Sequence, residues 1–400
     1  MVNLGVPEKD KIGNLANGGL RPMRGVAVSE DATRREGWID NLRVAIIVGV
    51  IGSHVSLLYA LDVDFYYQER TAGEVARAVL GGIFAPGLLF GMGLLFFVAG
   101  WFTPPAFGRK GARRFLLDRL WRLGIPTAVY FFLINPAMNF LGDHGMGQGQ
   151  TVADYLRLTY WDDVDLGVAW FIAALLAFSL TYAAWRWRDP VRTEGMMPLR
   201  GSDLVKVGLF IAVASFLVRL EFPVFGEEDV WTLNLWEYPQ MSALFALGVF
   251  ARERGWLSHA LSPHLRRTCG WAAAAGVVLA MLVGVGITIT DPEPFLGGWR
   301  FEATLIPLVE ATLALGMTLW LIDWFRRRAN RAGALVADLA RASFAAYLLH
   351  APIIILVAIT LREVGVPAEV KFLIVLGLGV VASFGLGWLF TRPRVSGRIL

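Results

Sequence analysis

A single cysteine, Cys269, stands in a chain of 400 residues. One thiol cannot close an internal disulfide or build a cysteine metal cluster, so a disulfide scaffold and a structural zinc site are both excluded. Cys269 reads as a small buried or interfacial residue. Charge is scarce as well. Asp, Glu, Lys and Arg make up 18% of the residues, where a soluble protein carries about a quarter. The formal net charge is only +4, and no basic block reads as a nucleic-acid patch. The chain has no His/Cys/carboxylate spacing for a metal, no phosphate-loop glycine pattern and no serine elbow. Residues 1–37 lack the apolar core and small-residue cleavage site of a signal peptide. They are polar and rich in Gly, Asn, Arg and Lys, as expected of a disordered cytoplasmic tail.

What the chain has instead is apolar length. Hydrophobic residues make up 56% of it, gathered in runs near 41–61, 79–103, 123–142, 167–185, 204–220, 236–251, 270–290, 303–325, 342–361 and 371–390. A helix needs about 20 such residues to cross the hydrocarbon of a bilayer. The segments between the runs alternate in charge. One set carries Arg109, Lys110, Arg113 and Arg114, then Arg186 and Arg188, Arg252 and Arg254, and Arg326 to Arg328. The other carries Asp62, Asp64, Glu69 and Glu74, then Asp143, Asp154, Asp162, Asp163 and Asp165, then Glu227, Glu228 and Asp229. The positive-inside rule then predicts an all-α, polytopic integral membrane helical bundle of about ten transmembrane helices, with both termini cytoplasmic. The expected layout is a tail at 1–37, a membrane domain at 38–392 and a short C-terminal tail at 393–400. The acidic segment 143–166 reads equally as a cover for a site or as a long connection.

Three polar side chains interrupt the first run: Asp40, Arg43 and His54. At 100° per residue, the step from Arg43 to His54 is a net turn of about 20°, and Asp40 lies within about 60° of both, so the three share a helix face. Arg43 and His54 are separated by about 16 Å along the axis. Ionisable groups within a membrane are costly and carry a functional hypothesis by default. The competing reading is a helix-packing histidine beside a topology charge and its partner. Arg119 and Arg122, spaced i, i+3, share a face at the mouth of the third run. They read either as phosphate-binding forks or as positive-inside residues alone. His350 stands in the middle of the ninth run. Gly91, Gly93 and Gly100 in the second fit close helix packing.

These segments resemble the membrane acyltransferase-3 family. Asp40-Asn41-Leu42-Arg43 followed by His54 is similar to the family's Arg-x10-His signature. Phe96-Phe97-Val98-Ala99-Gly100 is similar to its Phe-Phe-x-Ser-Gly segment, with Ala99 where Ser is usual. Arg119-Leu120-Trp121-Arg122 with Pro126, Trp170-Phe171, and Tyr347-Leu348-Leu349-His350 fit further family segments. Arg219-Leu220-Glu221-Phe222-Pro223 and Tyr238-Pro239-Gln240-Met241 give a nearer likeness to glucan-modifying membrane succinyltransferases.

The resemblance implies a multi-pass enzyme of a bacterial inner (plasma) membrane. Its donor would be cytoplasmic acyl-CoA of the acetyl or succinyl class, and its acceptor a hydroxyl of a glycan, lipid-linked sugar or similar molecule, as in cell-envelope O-acetylation. Its partners would then be acyl-CoA, that acceptor and membrane lipids, with no nucleic acid and no metal. His54 would act as general base, with Asp40 the second catalytic candidate, holding Arg43 in place. Arg43, Arg119 and Arg122 would hold the CoA phosphates, and His350 and Trp170 are further site candidates. The competing functions are a transporter or flippase of a polar lipid or glycan, and a non-catalytic envelope sensor.

Overall fold

The computed structural model describes residues 37–392 apart from 62, 64, 70–72, 148, 190–197, 227–229 and 259–260. The tails expected at 1–37 (save Gly37) and 393–400 lie outside the described residues, as do Asp62, Asp64, Glu227, Glu228 and Asp229. Among the described residues every regular element is a helix. A bilayer offers the backbone no hydrogen-bond partners, and a helix satisfies its N–H and C=O groups within the segment. Eight helical stretches among the described residues are long and apolar enough to cross a membrane. The molecule is an all-α polytopic membrane bundle.

In chain order the helices are α1 (Gly37–Tyr59), α2 (74–110), α3 (112–145), the short α4 (Val152–Leu158), α5 (Trp170–Arg188), α6 (Gly201–Val218), α7 (Tyr238–Glu253), α8 (Pro263–Ile289), α9 (Leu305–Arg328), α10 (Ala334–Leu361) and α11 (Ala368–Thr391). Each apolar run falls on one of them. The sixth run gives α7, which at 16 residues is not one of those eight stretches.

The long stretch Glu74–Gly145 is two arms joined at Gly111, whose φ of +69° breaks the helical path. Phe107 and Phe115 stack across the break with ring centroids 5.5 Å apart; in a straight helix eight residues span about 12 Å. Lys110 Nζ reaches Asp118 at 2.7 Å across the same bend. In α3, π-helical turns occupy Leu120–Gly124 and Tyr130–Ile134, just ahead of Pro126 and Pro136. A proline ring clashes with the carbonyl four residues back and offers it no N–H. Those carbonyls, of Arg122 and Phe132, lie within the π turns, which absorb the mismatch.

α1 is central, touching α2, α9, α10 and α11. Its start is tied down by Asn41, whose amide donates to the carbonyls of Ala329 (3.0 Å) and Arg331 (3.1 Å) just beyond α9. α2 packs on α7 through small residues. A Cβ on Gly100 would strike the Phe245 carbonyl, and one on Gly248 the Phe97 carbonyl. Backbones approach this closely only where side chains are absent. Gly91 departs from the packing expected of it. Nothing lies within 4 Å of where its Cβ would be, and it borders a cavity.

Several charges inside the bundle are paired. Arg219, at the end of α6, and Glu310 of α9 form an ion pair with each side chain 2% exposed. Lys371 of α11 bonds to Glu69 at 2.7 Å and to the Arg362 carbonyl at 2.8 Å. Arg186 of α5 pairs with Glu253 of α7 and stacks on Trp185. Removing one member of a buried pair strands the other charge. Arg219→Met alone should therefore lower stability by about 3–5 kcal/mol, and Arg219→Met with Glu310→Leu should recover most of that loss. Thermal unfolding of the two variants in detergent checks this; equal melting temperatures would contradict it.

Candidate active site

α1 forms one wall of a cavity of about 870 Å³. The helix borders it from Leu42 to Leu57, about 22 Å of axial length. The two ends of the cavity differ in chemistry. Near Leu42 the lining is apolar and aromatic, with Ala45 and Ile46 facing Trp320, Leu321 and Phe325 of α9. That end lies beside the basic last turn of α9, with Arg326, Arg327 and Arg328. Near Leu57 the lining turns polar, drawn from the end of α3, the connection after it and the segment before α7: Asn139, Asp143, Asp163, Asp165, Asn234 and Glu237.

His54 lies between the two halves, part-buried on the cavity wall. Its Nδ1 sits 2.8 Å from the Val50 carbonyl one turn back. A carbonyl only accepts, so Nδ1 carries the proton, and the lone pair of the neutral ring is on Nε2, pointing away from α1. His350 of α10 is fully buried and packs edge-on against His54, with ring centroids 4.6 Å apart. It is pinned in the same way, through Nδ1 to the Tyr347 carbonyl, and its Nε2 has no hydrogen-bond partner. Phe65 closes the other side of His54 at 5.6 Å. Tyr347 stacks beside His350 and donates its hydroxyl to the Val168 carbonyl.

The polar end is built around Asn135. Its amide donates to Asp165 Oδ1 at 2.8 Å and to the Asp163 carbonyl at 3.0 Å, and its own oxygen accepts from the Tyr66 hydroxyl. The Gly167 N–H also donates to Asp165, at 2.6 Å. Gly167 has φ +43°, and a Cβ there would collide with Asn135 and Tyr66, so only glycine fits. Burial pushes the carboxyls of Asp163 and Asp165 up from their ordinary values, against the hydrogen bonds from Tyr155 and Gly167 that favour the charged forms. Phe225, Thr232 and Asn234 also line this end, and all three have positive φ. An aromatic or β-branched residue such as Phe225 or Thr232 holds such a conformation only where its surroundings impose it.

Of the residues expected in a site, His54 and Trp170 line the cavity and His350 backs His54. Asp40, Arg43, Arg119 and Arg122 do not line it. Asp40 is 5% exposed while Arg43 is exposed. Arg119 lies over the Phe115 ring at 5.0 Å, and Arg122 Nε pairs with Asp118 at 3.2 Å, both just past the bend between α2 and α3. That bend is at the same end of the bundle as the start of α1, since Trp38 shares a small pocket with Trp101 and Phe102.

The residue-by-residue reading missed Asn135, Glu237, Trp320 and Tyr66. Asn135 had a signal, a lone amide inside the apolar segment Phe131–Met138. Among the described residues no group of three His, Cys, Asp or Glu side chains could hold a metal ion.

The model of the acyltransferase-3 family, described as an acyltransferase domain, matches residues 36–392. No curated protein and no solved structure matches the chain. The match spans nearly the whole sequence, and the chain belongs to this family: it is a membrane acyltransferase. The cavity supplies its own test. Nothing lies within 4 Å of a Cβ at Gly49, which borders the cavity. Gly49→Phe should fill the passage beside α1 without disturbing packing. Acyl transfer should drop by about 100-fold, the cost of a small misplacement of reactants, at an unchanged melting temperature. Full activity would show that reactants do not pass Gly49.

Proposed function

We propose that the protein transfers an acyl group of the acetyl or succinyl class from cytoplasmic acyl-CoA to a hydroxyl of a glycan, lipid-linked sugar or similar acceptor. The setting is a bacterial inner (plasma) membrane, crossed ten times with both termini in the cytoplasm. The observation that carries this reading is the position of His54. It lines a cavity with apolar and polar portions, and with Nδ1 bonded to the Val50 carbonyl its Nε2 keeps the lone pair.

The apolar half suits an uncharged pantetheine arm entering from the basic end. The polar half suits an acceptor hydroxyl, since Asn139, Asn234 and the carboxylates can bond to neighbouring hydroxyls of a sugar. His54 Nε2 takes the proton from the acceptor O–H as the oxygen attacks the thioester carbon. A C–O bond forms and the C–S bond breaks. The CoA thiolate leaves and takes the proton from His54, giving an acyl ester and free CoA thiol. His350 holds the His54 ring in place by contact. Arg43, Arg119 and Arg122, at the basic end, are the proposed partners of the CoA phosphates. Asp40, about 21 Å from His54 along the helix, serves Arg43 and that mouth, not the histidine.

Inside-out membrane vesicles given radiolabelled acetyl-CoA or succinyl-CoA test the reading, with CoA release and label in glycan and lipid fractions as the readouts. His54→Ala should reduce release about 100- to 10,000-fold. The His54→Ala, His350→Ala double variant should be no slower than His54→Ala alone, because His350 acts through His54. Release that survives His54→Ala would refute the mechanism. Absence of both release and acyl-CoA binding would leave the cavity to a transporter of a polar lipid or glycan.

A further inference from the structure

The cavity carries charge of one sign. Among the described residues its lining holds four carboxyl groups, Asp143, Asp163, Asp165 and Glu237, and neither lysine nor arginine. Two buried cations of the bundle, Arg219 and Lys371, are already engaged. Arg219 lies behind Trp236, 5.3 Å from its ring, and is paired with Glu310. Lys371 is bonded to Glu69 and to the Arg362 carbonyl. The half of the cavity below His54 is apolar and offers an anion no compensation.

We propose, on the reading of the protein as an acyl-CoA transferase, that this cavity selects its donor by charge and accepts uncharged acyl groups over those ending in a carboxylate. A succinyl chain would bring its carboxylate to His54 past apolar walls and towards four carboxyl groups. Protonation of those carboxyls would lessen the repulsion but would still provide no cation. The group there that gains positive charge during the reaction is His54. A carboxylate held beside it would stabilise the imidazolium before the acceptor proton arrived, and the base would be lost. The likeness to succinyltransferases includes Arg219, the cation a succinyl carboxylate would call for. In the fold Arg219 does not line the cavity and its charge is met by Glu310.

The test compares acetyl-CoA, butyryl-CoA and succinyl-CoA in inside-out vesicles of the unaltered protein, reading kcat/KM for CoA release. Butyryl matches succinyl in length without the charge and so separates size from electrostatics. Acetyl and butyryl should be used within about tenfold of each other, and succinyl at least about 100-fold below butyryl. Glu237→Gln and Asp143→Asn should narrow the gap between succinyl and butyryl. Succinyl used as well as butyryl overturns the inference, as does rejection of both four-carbon groups, which would make size the criterion. The comparison in the unaltered protein stands whether or not the variants fold. If none of the three donors is consumed or bound, the acyl-CoA reading itself falls and this inference with it; a preference for succinyl overturns the inference alone.

Discussion

Everything at the site depends on holding α1 in one position, because one cavity wall and His54, the proposed base, are both parts of that helix. The hold acts at both ends. At the start, the Asn41 amide donates to carbonyls beyond the end of α9, which would otherwise lack a donor there. Gly37 fits there because a Cβ would strike the backbone of Ala332 and Asn330. At the far end, the Glu69 N–H donates to the Leu58 carbonyl at 2.9 Å, and the Glu69 carboxylate is held by Lys371 of α11. Between these anchors, Ile51, Val55 and Leu58 are fully buried. A helix fixed in this way can direct the orientation of His54 from its own backbone, through the bond to the Val50 carbonyl.

The polar half of the cavity is secured differently. Its walls come from connections, which in most proteins are the mobile parts. Here Asn135, rooted in α3, acts as the hub. One side chain engages Tyr66 from the connection after α1 and Asp163 and Asp165 from the connection after α3. In a setting of low dielectric a hydrogen-bonded network of this kind is stiff, and an unpaired member would be costly. The acidic segment 143–166, which could have been only a long link, thus borders the cavity through Asp143, Met146, Asp163 and Asp165.

Much of the fold was legible in the sequence because lipid enforces a simple rule: an apolar run of sufficient length must be a helix. His54 was legible for a related reason, as an imidazole inside such a run has to be explained. Arg43 and Asp40 show where helical-wheel reasoning stops. Three residues apart on one face, one is buried and the other exposed. The partner of Arg219 was also hidden, since Glu310 is 91 positions away and nothing local connects the two. The division of the cavity into apolar and polar halves was out of reach, because it depends on how two connections fold back, one through a left-handed glycine at 167 and one through Phe225, Thr232 and Asn234.

The absence of cations from the cavity among the described residues and the proposed gathering of arginines at its basic end have a common physical basis. A CoA donor carries several phosphate charges at one end and an uncharged arm at the other. Drawing phosphates into a low-dielectric passage would cost far more than an ion pair returns, so cations deep in the cavity would gain nothing from the donor. Placed at the membrane surface, as Arg43, Arg119 and Arg122 are on the proposed orientation, they can meet phosphate where it stays solvated. The passage is then left to the uncharged arm, and its polar far half is free to match the acceptor. On that division, donor affinity resides at the mouth and chemical selection beside His54, with about 16 Å of helix between Arg43 and the histidine setting the reach that the bound thioester must have.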